Sequence, residues 1–267
     1  MKTVDTIRYK ATIAYDGTDY SGFQIQPNGR TIQGKIEAVL KKINKNEFVR
    51  IHPSGRTDAG VHAVGMVFHF DFPASIPEKG IFKAMNVLLP ADISLLHLKP
   101  VEAEFHARYH ALAKTYTYRV HNHEIRDPFT QRFALNHPYE MDEARVQEAV
   151  KLFLGTHDFT SFCSAKTVIE NKVRTIYEST VEVDRDTNEW LFTFTGDGFL
   201  YNMVRIMVGT LIEVADGRLA VDVISEMFDA KDRSRSGKTI AANGLRLEKV
   251  YYDEEELRKR FSQYTVK

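Results

Sequence analysis

The chain has 267 residues, 43% hydrophobic and 27% charged, which is the composition of a globular protein with room for about two domains of ordinary size. No apolar run approaches the ~20 residues that cross a membrane, and residues 1–10 lack the basic-then-apolar layout of a secretory signal. A single cysteine, Cys163, excludes an internal disulfide and a CxxC metal site, so the expectation is a cytoplasmic protein. The 36 basic and 36 acidic residues cancel, although residues 30–58 hold seven basic against three acidic side chains and residues 231–249 six against two. Such runs are commonly solvated faces; they permit phosphate contacts without requiring them.

In chain order, Tyr9, Ala11, Ile13 and Tyr15 alternate with Arg8, Lys10 and Thr12, the period of a strand with one buried face. Ile32, Ile36, Val39, Leu40 and Ile43 recur at helical spacing, with Thr31 placed as the N-cap. A short strand over 48–51 runs into a loop over 53–60, and Val64, Met66, Phe68, Phe70 and Phe72 mark the next strand. A helix over 78–88 and a strand over 93–98 complete a β-α-β-β-α-β order. The second half repeats it. A strand over 114–120 precedes a helix with Val146, Ala149, Val150, Phe153 and Leu154 on one face and Gly155 as its stop. A hairpin of 173–183 with 190–195, helices over 201–215 and 221–228, and a strand over 245–252 follow. The expectation is an α+β fold of two ferredoxin-like halves, with mostly antiparallel sheets, helices on one face and a central cleft. The boundary falls near residues 103–108, giving halves 1–105 and 106–267.

Gly55-Arg56-Thr57-Asp58-Ala59-Gly60-Val61-His62-Ala63 is the most informative stretch. Glycines at both ends allow positive φ angles, so a carboxylate sits on a tight loop at a sheet end with a guanidinium two residues away. An Asx-turn with Arg56 as a surface ion pair would account for an isolated Asp, but Thr57 and His62 in the same loop do not suit a mere connection. His62, His69 and His106 lack metal-ligand spacing and read as structural or partner-facing.

Ser54-Gly55-Arg56-Thr57-Asp58-Ala59-Gly60-Val61-His62 resembles the signature of the TruA family of tRNA pseudouridine synthases. The resemblance runs through Tyr15-Asp16-Gly17-Thr18-Asp19-Tyr20-Ser21-Gly22-Phe23-Gln24, Arg30-Thr31-Ile32-Gln33-Gly34, Lys114-Thr115-Tyr116-Thr117-Tyr118, Phe199-Leu200-Tyr201-Asn202-Met203-Val204-Arg205 with Gly209, and Gly244-Leu245-Arg246-Leu247. Met66, Ala241 and Arg246 depart from the family pattern, none at a position with a reacting role. The resemblance implies isomerisation of uridine to pseudouridine at tRNA positions 38, 39 and 40, RNA bound in the central cleft, and a homodimer spanned by one tRNA.

The reaction breaks an N-glycosidic bond and rejoins the uracil through C5, with no redox change, so no cofactor is expected. Asp58 is the nucleophile or base, and an aspartate with a reference pKa of ~3.9 is already ionised at neutral pH. It could attack the ribose, add to uracil C6, or take a ribose proton. Arg205 is the expected counter-charge, with Gly209 clearing space on its helix face; its alternative is a surface arginine. Tyr116 is implied to stack on the uracil and Leu245 to pack against it, where core positions are the plain alternatives, and Tyr118 is structural. Arg56 would help extract the base, which costs a few kcal/mol. Two readings from other classes compete: a non-catalytic RNA-binding module, which needs exposed aromatic strand faces, and a glycosidase-type hydrolase, which needs a second carboxylate, for which Asp197 is the candidate.

Overall fold

Strand β1 (Thr6–Tyr15) buries Tyr9, Ala11, Ile13 and Tyr15 on one face and leaves Arg8, Lys10 and Thr12 half-exposed on the other. In the computed structural model, which describes residues 5–261, the chain divides into two compact units. The first runs to Ala111 and includes Leu247–Tyr252; the second comprises Leu112–Arg246 and the chain from Asp253.

In the first unit β1 pairs antiparallel with β3 (His62–Pro73) on one side and β4 (Ile93–Pro100) on the other, while the two-residue β2 (His52–Pro53) pairs antiparallel with β3. The order 4-1-3-2 is that of a ferredoxin-like unit. Register places Phe70 opposite Tyr9, Phe68 opposite Ala11 and Met66 opposite Ile13, all at most 2% exposed. Helices α1 (Ile32–Ile43) and α2 (Glu78–Leu88) contribute Ile36, Val39, Leu40, Ile81 and Met85 to this core. Each such side chain contributes about 1.5–3 kcal/mol through burial. Thr31 caps α1 by accepting the Gly34 N–H.

The strand expected over 48–51 does not form. The Ile51 N–H donates to Glu37 Oε1 at 3.2 Å, and the same oxygen accepts from Gln33 Nε2 at 2.9 Å. A buried carboxylate on α1 thus takes the amide that a ladder would have used, and pairing starts only at His52.

In the second unit β5 (Ala113–His121), β9 (Glu189–Gly196), β8 (Val173–Asp184) and β7 (Gly155–Asp158) lie side by side in that order, all antiparallel; β6 (Leu135–Asn136) makes a short parallel pairing with β5. Helix α3 (Glu143–Ala149) tightens into a 3-10 turn over Val150–Phe153. Gly155 then starts β7, which the sequence did not announce. Helices α4 (Met203–Ala215) and α5 (Val223–Ala230), β10 (Leu245–Tyr251) and α6 (Glu254–Arg260) follow. No helix among the described residues is long and apolar enough to cross a membrane.

Candidate active site

The acidic loop, residues 54–61, takes its shape from the Tyr15-to-Phe23 segment. Phe23 N–H donates to the Thr57 carbonyl at 3.0 Å and Gly60 N–H to the Tyr20 carbonyl at 3.3 Å. His62 Nδ1 accepts the Gly17 N–H at 3.0 Å, and the buried hydroxyls of Tyr15 and Thr57 are 2.8 Å apart. Gly22 stands at φ +93°, where a Cβ would come 2.9 Å from the Thr57 carbonyl oxygen and 3.3 Å from the Asp58 carbonyl carbon. Both the dihedral and the close approach require glycine. Val61 N–H closes a turn onto the Asp58 carbonyl at 3.2 Å. Asp58 is therefore half-buried between fixed points, with Thr57 buried on one side and Arg56 exposed two residues back. Nearby, Arg30 pairs with Asp92 at 2.7 Å and lies over the Tyr20 ring, so this member of the first basic stretch is structural. Lys35, Lys41, Lys42, Lys45 and Arg50 are exposed.

In the second unit Arg205 lies in the first turn of α4 and is half-buried. Its Nε donates to the Ile240 carbonyl at 2.8 Å and its Nη1 to Asn202 Oδ1 at 2.9 Å. Asn202 precedes the helix in a left-handed conformation, φ 62°. Gly209 does clear space, but for backbone: a Cβ there would sit 2.0 Å from the Lys238 carbonyl oxygen. That close passage brings the 238–240 segment near enough for Ile240 to hold the guanidinium. Asn202 and the Ile240 carbonyl are positioning partners the sequence reading missed; Asn202 lay within a motif, whereas the Ile240 contact left no sequence signal.

Tyr116 is 9% exposed and meets Phe199 edge-to-face, ring centres 5.1 Å apart. Tyr118, two residues on, is fully buried and its hydroxyl donates to the Ala241 carbonyl at 2.7 Å. Burial raises its phenol well above the usual tyrosine range, and the Arg205 charge opposes that rise. Leu245 is 7% exposed at the start of β10, its N–H bonded to the Ala242 carbonyl. Asp197 Oδ1 accepts the Thr175 N–H while its own N–H donates to the Thr175 carbonyl, each at 3.0 Å. This carboxylate extends the β8–β9 pairing.

The sequence separated three histidines that the fold brings together. His52, His69 and His106 have nitrogen atoms within 4.8 Å of one another. His69 Nδ1 accepts the Ala107 N–H, and His106 Nδ1 accepts those of Arg108 and Tyr109. The Nδ1 atoms of His69 and His106 are thus already used as acceptors for backbone amides. Burial, then His106 and His52, lower the His69 imidazole to about 4. The three rings pack against one another, His52 stacked on His69 at 4.9 Å and His69 edge-on to His106 at 4.6 Å.

The sequence profile described as tRNA pseudouridine synthase matches residues 11–110 and 149–253. A protein called tRNA pseudouridine synthase A from Geobacillus kaustophilus is 50% identical over 250 residues, covering 94% of this chain and 96% of that one. Its namesake from Latilactobacillus sakei is 46% identical over 247 residues, covering 92% and 99%. Among solved structures, a Cbf5-Nop10-Gar1 complex matches with a TM-score of 0.39 at 14% identity, over 91% of this chain and 59% of that one. With the family profile matching most of the chain, and near-full-length relatives at about half identity, this chain belongs to the tRNA pseudouridine synthase family.

Proposed function

We propose that this protein isomerises uridine to pseudouridine at positions 38, 39 and 40 of the tRNA anticodon arm, in the cytoplasm and as a homodimer spanned by one tRNA. The reaction exchanges the bond from ribose C1′ to uracil N1 for one from C1′ to C5; N1 gains a proton and C5 loses one. Asp58 acts as nucleophile or base. The observation that carries this reading is the strapping of the Asp58 loop at Thr57 and Gly60 by the 15–23 segment, which supports a carboxylate preorganised for chemistry.

Arg205 supplies the counter-charge to Asp58, Tyr116 stacks on the extracted uracil, Leu245 packs against it, and Arg56 helps to withdraw the base. A guanidinium held by Ile240 and Asn202 has its donors oriented by two bonds, which suits that part. The exposure of Arg56 suits a group that meets RNA. Against the hydrolase alternative, the Asp197 carboxylate accepts the Thr175 backbone N–H as an extension of the β8–β9 pairing. Mapping pseudouridines in tRNA from cells with and without this protein tests the proposal. Loss confined to positions 38, 39 and 40 is expected; an unchanged map, or loss only outside the anticodon arm, refutes it.

A further inference from the structure

Three lysines distant in sequence meet at one edge of the first unit. Lys10 on β1 and Lys99 on β4 are direct cross-strand partners, and Thr12 and His97 form the same kind of pair two residues along. Lys79 of α2 joins these four around a cavity of about 600 Å³ whose one acidic lining residue is Glu78.

Like charges placed directly opposite on a sheet are destabilising, and among the described residues Glu78, the one acid in the lining, forms no ion pair with any of the three lysines. Among the described residues Lys79 and Lys99 form no ion pair, and the Lys10 ammonium lies 3.7 Å from the Tyr252 ring centre instead of against a carboxylate. Asp71, on the neighbouring strand, is taken by Arg8 at 2.7 Å. Lysine on an edge strand guards against unwanted strand pairing, which would explain Lys99 on β4. It does not explain Lys10, which sits between two strands. Burial and the Lys99 charge lower the Lys10 ammonium to about 8, a penalty that a bound anion would relieve.

We propose that this cavity is a phosphate subsite for the tRNA backbone, in which Lys10, Lys79 and Lys99 engage neighbouring phosphodiesters. It rests on tRNA as the substrate and shares no residue with the Asp58 loop. Two exposed ammoniums flanking a half-buried one suit a polyanion running along the sheet edge.

The test measures tRNA affinity against salt for wild type, the Lys79→Gln/Lys99→Gln double variant, and Lys83→Gln as a control outside the cavity. Each lost phosphate contact flattens the log–log slope by about 0.9 and, for two, weakens binding about thirtyfold at 150 mM salt. The double variant is expected to show that change, and Lys83→Gln wild-type behaviour. In a second arm, an amine-reactive probe at pH 8 labels Lys10 rapidly and tRNA blocks the labelling. An unchanged slope in the double variant, or Lys10 labelling indifferent to tRNA, overturns the assignment. Stabilisation by inorganic phosphate in wild type alone, with an unchanged slope, would overturn it in favour of a free small anion. A wild-type protein that binds tRNA but leaves its uridines unchanged would refute the proposed function and leave this subsite standing.

Discussion

Replacing Tyr15 by Phe removes one oxygen from a buried pair and leaves the ring in place. Tyr15 is 4% and Thr57 7% exposed, and their 2.8 Å separation is that of a full O–H···O bond. Depriving the Thr57 hydroxyl of this partner costs roughly 1–3 kcal/mol, or about 2–4 °C of Tm per kcal/mol in a chain of this size. The Phe23 and Gly60 amide bonds remain, so the loop should loosen without unfolding. If ~1 kcal/mol of that cost reaches the barrier, the single-turnover rate falls about fivefold. The double variant Tyr15→Phe/Thr57→Val removes both polar atoms. It should recover part of the stability, giving a coupling energy of about 0.5–3 kcal/mol. Single-turnover conversion of a tRNA transcript, with thermal melts of all three variants, reads both quantities. A Tyr15→Phe protein matching wild type in rate and Tm, or strict additivity in the double variant, would refute the idea that this hydroxyl pair positions Asp58.

Tyr116→Phe keeps the ring and Tyr116→Ala loses a stacking platform worth ~1–3 kcal/mol per base, so the Ala variant should lose far more activity than the Phe variant. Tyr118→Phe loses the bond to the Ala241 carbonyl and should chiefly lower Tm; the opposite pattern would assign stacking to Tyr118. His69 titrates near 4 when folded against a reference of 6.5, so the folded state resists its protonation. Its neutral form contributes stability in full above pH 6.5, and that contribution is lost as pH falls from 6.5 toward 4. That gap corresponds to roughly 3–4 kcal/mol as an upper bound. His69→Gln should flatten the stability profile in that window, and an unaltered profile would contradict the assignment. Neutral replacement of the exposed Lys41, Lys42 and Lys45 together should flatten the salt dependence of tRNA binding if the end of α1 touches RNA; an unchanged slope makes them a solvated helix face.

The apolar alternation of β1 and the helical spacing of α1 were readable because each depends on neighbours within a few residues. Asp58 was readable for the same reason, as a carboxylate between glycines on a strand-to-strand loop. What escaped depends on partners far along the chain. The 48–51 strand fails because Glu37 takes the Ile51 amide. Helix α3 ends early where the Ser179 hydroxyl claims the Val150 carbonyl at 2.6 Å and the turn tightens, its Leu154 N–H bonding to Lys151. Gly209 was read correctly as a cleared position, but what fills it is the 238–240 backbone. The charge runs in the sequence pointed to 30–58 and 231–249, whereas the lysines at positions 10, 79 and 99 share no run and meet only once β1, β4 and α2 are assembled.

Asp58→Asn tests the proposed chemistry most directly, because it keeps the size and shape of the side chain and removes only the reactive carboxylate. In a single-turnover assay with excess enzyme, pseudouridine formation should become undetectable while tRNA affinity stays within about twofold of wild type. An Asp58→Asn rate within tenfold of wild type would show that the carboxylate is not the reacting group.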